Sequence, residues 1–320
     1  MIIYLKPLSM FPELHSDTIF GAIISSISQL HGETIVNNII GAFESENLPF
    51  TISSAFPCII DEKNSNHIRF YPKISFSKES DKTEREISEK YLDNLKSYKK
   101  IEFLEEDIFF KVLNGELTEE DIILNLKDYY SYKGLLMNEK PDIDIYYGEN
   151  IVPNNSVNRQ FGNTEIFYSS GTEYMNMGLF ILADLSNEGY KVFFEEEFKF
   201  LQDKGFGKDV SIGRGQFEYE ISYENISSLE NNENSDYFVT LSRFIPTDDD
   251  LASIDKSYYD IGFKRGVSSS KDIRKQIRFF KEGSSFIFND KKDFYGQIVQ
   301  SGDKSPAVEY GYAFLVGGKK

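Results

Sequence analysis

The stretch that decides the fold lies between a predicted helix and a predicted strand and runs Gly205-Phe206-Gly207-Lys208-Asp209-Val210-Ser211-Ile212-Gly213-Arg214-Gly215-Gln216-Phe217. Four glycines fall within eleven residues. Glycine admits positive φ and lets another backbone approach closely, so successive N–H groups can converge on a phosphate. Lys208 and Arg214 would add positive charge. The stretch therefore predicts a phosphate-binding loop, and the alternative is a flexible connection without a ligand.

Two other phosphate-binding patterns do not fit this loop. Gln202 stands where the ATP-binding pattern needs its first glycine, and Asp209 follows the lysine in place of Ser or Thr. The dinucleotide pattern needs a strand before the loop and a helix after it, which is the reverse of the order predicted here. Neither nucleotide-binding fold is expected.

The segments around the loop predict an alternating α+β order. Apolar residues recur at helical spacing over residues 192–204, and they alternate with acids over 217–221 as in a half-buried strand. The chain begins with a strand at 1–6 and a helix at 18–30, and residues 161–184 suggest two strands joined by a Ser-Ser-Gly turn. The order is βαββαβ, which predicts a ferredoxin-like, RRM-like domain.

The length of 320 residues favours about two domains. We assign residues 1–226 to the first domain, with an insertion at about 50–150 that is helical from about 80 to 139. The polar stretch 227–236 is the predicted linker. Residues 237–320 form a smaller, strand-rich second domain, so the whole chain is expected to be two ferredoxin-like domains.

Composition and charge limit the functions that the chain can have. The only cysteine is Cys58, which excludes internal disulfides and thiolate metal sites, and we expect a cytoplasmic protein that does not enter a membrane. The formal net charge is −17, which argues against tight binding of nucleic acid by the isolated chain. Residues 101–150 are acidic, whereas residues 256–281 carry eight basic side chains against two acids. This asymmetry suggests one face for RNA and another for protein, or simply solvated faces.

The basic region 256–281 contains aromatic neighbours, a combination typical of surfaces that bind single-stranded RNA. Lys264, Arg265 and Lys271 are the predicted RNA contacts within it. Phe279 and Phe280 are as compatible with a core position as with stacking, and they are left out of the predicted site.

The loop pattern G-x-G-x-x-x-S-x-G-x-G between a helix and a strand resembles the glycine-rich loop of the RAMP superfamily of CRISPR RNA-binding proteins. Four further stretches resemble the fourth Csm subunit of type III-A CRISPR effector complexes. They are Leu14-His15-Ser16-Asp17-Thr18-Ile19-Phe20-Gly21, Asn158-Arg159, Ser242-Arg243-Phe244-Ile245-Pro246 and Tyr310-Gly311-Tyr312-Ala313-Phe314. Lys208 departs from this pattern, in which a further glycine is frequent.

The resemblance implies a non-catalytic cap that holds the 5′ repeat-derived tag of the CRISPR RNA and contacts the large polymerase-like subunit and the third, backbone Csm subunit. Target RNA would be met only through the complex, and no metal or other cofactor is expected. Residues 151–162 could form a hairpin thumb near the junction of tag and guide. The residues expected to contact RNA are His15, Ser16, Asn158, Arg159, Gly205, Gly207, Lys208, Ser211, Gly213, Arg214, Gly215, Arg243, Lys264, Arg265 and Lys271.

Two alternatives stay open. His15 lies close to where RAMP endoribonucleases carry a catalytic histidine, so the chain could be a metal-independent ribonuclease that processes CRISPR repeat RNA. It could also be purely architectural, with the glycine-rich loop packed against a neighbouring protein. Asp17 is explained as a helix cap, for which Ser16 also qualifies. The acidic runs 195–197 and 248–250 are interpreted as solvated.

Overall fold

The computed structural model describes residues 1–61, 66–76, 89–157, 162–207, 210–224, 235, 237–265, 275–301 and 308–319. The strands up to residue 224 are β1 (Ile2–Pro7), β2 (Phe50–Ile52), β3 (Phe56–Asp61), β4 (Asn66–Pro72), β5 (Phe103–Glu105), β6 (Tyr130–Tyr132), β7 (Leu135–Met137), β8 (Tyr146–Val157), β9 (Thr164–Met175), β10 (Met177–Leu185) and β11 (Phe217–Ser222). The helices there are α1 (Ser16–His31), α2 (Glu33–Glu44), α3 (Glu89–Tyr98), α4 (Glu106–Leu113), α5 (Glu119–Leu124) and α6 (Gly189–Lys204), with short 3-10 turns at Leu126–Asp128 and Val210–Ile212.

The rest of the described chain is mainly strand. Its elements are β12 (Tyr237–Thr240), α7 (Asp248–Ser253), β13 (Ile254–Tyr258), β14 (Ile261–Lys264), β15 (Ile277–Phe280), β16 (Ser285–Phe288), β17 (Ile298–Gln300), β18 (Val308–Tyr310) and β19 (Leu315–Gly318).

Nine of the described strands form the main sheet, in the order β11-β1-β10-β3-β4-β5-β7-β6, with β2 paired to β10 beside this path. The pairs β11–β1, β1–β10 and β10–β3 are antiparallel. Helices α1 and α2 lie between β1 and β3 in the chain, and α6 lies between β10 and β11. These elements follow the predicted βαββαβ order, with the strands placed fourth, first, third, second.

Alternation along β1 gives the main sheet two buried faces. Ile3 and Leu5 pack into a core that includes Phe20 of α1 and Phe198 of α6. The intervening Tyr4 faces a second core, which receives Val239 and Val316 from the C-terminal strands. Because side chains alternate along a strand, one sheet can separate a layer of helices from a second sheet.

The second sheet has the order β13-β16-β12-β19, and its three neighbouring pairs are antiparallel. From the other edge this order is again fourth, first, third, second along the chain. Helix α7 lies between β12 and β13, but the described residues between β16 and β19 contain the strand pair β17–β18 and no helix. The mixed α+β class is confirmed.

The predicted hairpin of residues 161–184 is wrong. Ser169, Ser170 and Gly171 lie inside β9, whose partner is β8, and the neighbour of β10 in the βαββαβ order is β3. Gly171 serves a close approach and not a turn: a Cβ there would lie 3.1 Å from the carbonyl oxygen of Phe11. Phe11 exchanges two backbone hydrogen bonds with Thr172, of 2.9 and 2.8 Å.

The insertion contains α3, α4 and α5, as the charged composition predicts. The N-cap of α5 is Thr118, whose hydroxyl oxygen accepts a 3.1 Å hydrogen bond from the backbone N–H of Asp121. Strands β3 and β4, which fall inside the predicted bounds of 50–150, belong to the main sheet. Of the predicted linker 227–236, only residue 235 is described.

Candidate nucleic-acid interface

The glycine-rich loop is fastened to the core by Phe206. Its ring centroid lies 5.8 Å from that of Phe11 and 5.1 Å from that of Phe217. The Phe206 N–H donates to the carbonyl of Gly215 at 2.9 Å, and the Gly215 N–H donates to the carbonyl of Met10 at 2.9 Å. Gly215 has a φ of +70°, and a Cβ there would lie 1.8 Å from the Phe206 oxygen. Only glycine fits this position without a shift of the loop.

Most of the glycine N–H groups of the loop already have backbone partners. Gly205 donates to Leu201 at 2.7 Å and Gly213 donates to Val210 at 3.0 Å, in addition to the Gly215 bond. The predicted cradle of converging N–H groups is therefore not formed by these three glycines. The exposed residues Gly207 and Ser211 and the half-buried Arg214 remain candidates for RNA contact.

His15 lies between two carboxylates just before α1. Its Nδ1 is 2.8 Å from Oε1 of Glu282, and its Nε2 is 3.5 Å from Oε2 of Glu13. Glu282 also accepts a hydrogen bond from the Ser54 hydroxyl. Burial lowers the pKa of His15, but the two carboxylates outweigh it and raise the pKa to about 9. His15 is therefore a cation at neutral pH.

Asp17 pairs with two of the predicted RNA-binding cations. Its Oδ2 lies 3.1 Å from Nη1 of Arg243 and 2.6 Å from Nζ of Lys264. Lys264 also lies 3.1 Å from Oε2 of Glu309. Burial opposes ionisation of Asp17, but Arg243 and Lys264 hold the pKa of its carboxyl below the usual value. We call Glu13, His15, Asp17, Arg243, Lys264, Glu282 and Glu309 the inter-sheet ion cluster.

Ser16 does not cap α1. The N-cap is His15, without a side-chain cap bond, and Ser16 is fully buried. The Ser16 hydroxyl accepts a 3.1 Å hydrogen bond from the backbone N–H of Arg243, so it joins the first helix to the segment that follows β12. Asp17 does bond at the helix start, accepting from the Thr18 N–H at 2.8 Å.

Residues 8–15, which connect β1 to α1, touch three of the predicted RNA-contacting regions. Met10 bonds to the glycine-rich loop, Phe11 bonds to Thr172 in the β8–β9 hairpin, and His15 belongs to the inter-sheet ion cluster. The sequence identified Arg243 and Lys264 but missed Glu282 and Glu309. No local pattern distinguishes these two glutamates from solvated acids.

The β8–β9 hairpin has the form of the predicted thumb. Each strand has twelve residues, and Ile151 and Tyr168 on one face are 60% and 70% exposed. Arg265 is exposed after β14. The predicted contacts Asn158, Arg159, Lys208 and Lys271 lie outside the described residues.

The acidic runs are not uniformly solvated, contrary to the sequence interpretation. Glu197 is buried, and one of its oxygens lies 3.1 Å from Nε2 of His31; burial raises the pKa of this carboxyl. Asp250 is also buried, where it accepts hydrogen bonds from the N–H groups of Thr247 and Gly296 and pairs with Lys292. Carboxylates at helical or capping positions can turn inward when such donors are present.

The described residues contain no group of three or more His, Cys, Asp or Glu side chains arranged to hold a metal ion. Among them, no helix combines the length and the apolar character needed to cross a membrane.

Phe279 is buried beneath the Arg243 guanidinium, which lies 4.4 Å from the centroid of the Phe279 ring. Phe280 packs against Phe244 and Phe286. These contacts favour the core interpretation of both rings.

Comparison with known proteins gives concordant results. A family model of the CRISPR Csm4 C-terminal domain matches residues 233–317. Csm4 of Thermococcus onnurineus (strain NA1), described as a CRISPR system Cms protein, is 26% identical over 236 residues, which cover 72% of this chain and 70% of that protein.

Solved structures share the fold. A Csm3–Csm4 subcomplex of the type III-A CRISPR-Cas interference complex contains a chain that matches with a TM-score of 0.67 and 20% identity, covering 99% of this chain and 98% of that one. A Csm1–Csm4 cassette bound to cA4 matches with a TM-score of 0.57 and 20% identity, covering 99% and 96%. The resemblance to the fourth Csm subunit is thus confirmed: residues 233–317 match the Csm4 C-terminal family model, the chain is similar to a Csm4 protein over most of its length, and it shares the fold of a chain in a Csm3–Csm4 subcomplex.

Proposed function

We propose that this protein is a non-catalytic RNA-binding subunit of a type III-A effector complex. It acts in the cytoplasm, holds the 5′ tag of the CRISPR RNA, and links a large Csm1-like subunit to Csm3-like backbone subunits, through which it meets target RNA. Solved relatives are described in complexes with Csm1 and with Csm3. The shared strand order of its two sheets supports two ferredoxin-like domains, with a boundary at 227–236.

The observation that carries this proposal is the convergence on residues 8–15. The glycine-rich loop, the β8–β9 hairpin and the inter-sheet ion cluster are far apart in the sequence, yet each bonds to this one segment. A loop, a long hairpin and cations that neighbour one another in the fold suit a single strand of RNA better than a small molecule.

The isolated subunit is expected to bind RNA weakly. Its net charge is −17, and Arg243 and Lys264 are already paired with carboxylates. Since affinity for RNA follows the number of phosphates that cations neutralise, stable retention should need the partner subunits.

The endoribonuclease alternative has one observation in its favour. The carboxylate of Glu282 holds His15 in the way that an acid orients a catalytic imidazole. However, a general base must be unprotonated, and a pKa of about 9 keeps His15 charged at neutral pH. The geometry therefore supports a cationic structural or RNA-contacting residue over a base.

One assay separates these functions. The protein, alone and with its large and backbone partners, is incubated with end-labelled tag-bearing CRISPR RNA in a chelator, and retention and cleavage are scored together. Intact RNA that is retained only with the partners, and less by the Arg265→Glu variant, supports the cap. Cleavage that disappears in His15→Ala would replace the cap with the ribonuclease. Complexes that assemble without retaining RNA would leave only the architectural role.

A further inference from the structure

The β14–β15 ribbon presents an aromatic ring and a guanidinium on its outer face. Phe263 pairs directly across the ribbon with Arg278, and the guanidinium lies 5.7 Å from the ring centroid. Phe263 is 58% exposed, and the side chain of Arg278 is exposed beside it. Tyr259 and Ile261 are exposed next to Phe263 in the chain, and a group of neighbouring exposed apolar side chains marks an interaction site more than a single one does.

Alternation along β14 separates this face from the ion cluster. Gly262 and Lys264 point inward, where Lys264 reaches Asp17 and Phe279 covers Gly262. Ile261 and Phe263 point outward, and Tyr259 just before the strand is also exposed. The sequence argument chose Lys264 and Arg265 from this part of the region; the fold turns Lys264 inward and leaves Arg265 and Phe263 accessible.

The charge around the ribbon favours an anionic occupant. Among the described residues 259–265 and 275–281, Arg265, Lys275, Arg278 and Lys281 are exposed near its strands, and Asp260 is an exposed acid beside them. This concentration of positive charge occurs in a chain of net charge −17. An apolar protein partner would gain little from these cations. A nucleotide uses both the exposed ring and the cations, because its base stacks on a ring and its phosphate pairs with a cation.

We propose that Phe263 and Arg278 form a stacking platform for one unpaired base of the CRISPR RNA. The proposal rests on the RNA-binding function above and adds a nucleotide contact on the outer face of the second region. The Arg278 guanidinium lies over one face of the Phe263 ring and would pair with an adjacent phosphate. The base would stack on the other face of the ring, and Tyr259 borders the platform. Both principal side chains are exposed, so their replacement should leave the fold intact.

The test uses the full chain assembled with its partner subunits and CRISPR RNAs that carry 2-aminopurine at one tag or guide position at a time. Stacking quenches the fluorescence of this base. We expect one position to be quenched in the wild type, quenched also in Phe263→Tyr, and unquenched in Phe263→Leu, which keeps the apolar bulk without the ring. RNA affinity should fall about tenfold in Phe263→Leu. Arg278→Gln should lower the salt dependence by about one phosphate contact.

Tyr223→Leu is the matched control, because Tyr223 is another exposed ring with a cation over it, Lys191 at 5.0 Å. It should change neither signal. Unchanged quenching and affinity in Phe263→Leu, with RNA still retained, would overturn the platform and leave the proposed function standing. Loss of assembly in Phe263→Leu without RNA would make the ribbon a protein-docking surface instead. If the wild-type complex retains no RNA, both proposals fail.

Discussion

The glycine-rich loop and the inter-sheet ion cluster flank the same segment, residues 8–15, but different forces hold them. The loop is a backbone structure, in which Gly215 lets the chain pass against Phe206 and Met10. The cluster is held by charge: Asp17 of α1 pairs with Arg243, which follows β12, and with Lys264 of β14. Residues of the loop, and His15, Arg243 and Lys264 of the cluster, were predicted as RNA contacts. The difference teaches that a motif can mark a binding surface while most of its conspicuous groups serve the fold.

The largest expected effect on stability comes from a substitution in the inter-sheet ion cluster. Asp17→Ala leaves Arg243 and Lys264 without their shared carboxylate in a site where the Asp17 side chain is 5% exposed. Removing one member of a buried ion pair costs about 3–5 kcal/mol, and we expect the lower part of that range because Lys264 is partly exposed. Denaturant unfolding measures it. A loss below about 1 kcal/mol would show that the cluster does little to hold α1 to the C-terminal part of the chain.

The second-largest effect on stability is expected in the glycine-rich loop. Gly215→Ala places a Cβ against the Phe206 carbonyl at positive φ, and we expect a loss of about 2–4 kcal/mol in the free energy of unfolding. The matched control is Gly213→Ala, which has a φ of +81° but no atom within 4 Å of the added Cβ. It should cost about 1–2 kcal/mol from conformation alone. Equal losses in the two variants would contradict the close-approach explanation.

The smallest effect depends on pH. The pKa of His15 is about 9 in the folded protein, against the ordinary histidine value of 6.5 that applies to the unfolded chain. The charged imidazole therefore contributes fully to the free energy of unfolding below pH 6.5, and this contribution is lost as the pH rises through 9. The difference corresponds to about 3 kcal/mol, which screening at a side chain 31% exposed reduces to ~1–2 kcal/mol.

Unfolding free energies from about pH 6 to about pH 10 test this, with His15→Gln as the control. As the pH rises, the free energy of unfolding should fall less in the His15→Gln variant than in the wild type, because the variant has no charged imidazole to lose. Parallel curves for the two proteins would mean that Glu13 and Glu282 do not stabilise the charged imidazole.

Local patterns predicted two strands of the main sheet and the two helices that pack on it. The first strand, α1, α6 and β11 lie within a few residues of their expected positions because each buries one face and shows its period in the sequence. The partner of β10 was not predictable in this way. β3 is a short apolar run separated from β10 by more than a hundred residues, and strand pairing over such a distance leaves no local pattern.

The candidate site was predicted in part. The sequence located Arg243, Lys264 and His15, whose residue types suit RNA. It could not supply Glu282, which meets His15 from 267 residues along the chain, or the direction in which Lys264 points. The alternation of β14 sets that direction, and it exchanges Lys264 for Phe263 on the outer face.

The most direct test of the central claim is photocrosslinking of CRISPR RNA that carries 4-thiouridine in the 5′ tag, within the assembled complex, with crosslinked peptides identified by mass spectrometry. The account predicts crosslinks from the tag to this subunit, within residues 8–17, the loop 205–217 or the ribbon 259–281. Tag crosslinks confined to the partner subunits, or to the acidic residues 101–150 of this chain, would contradict it.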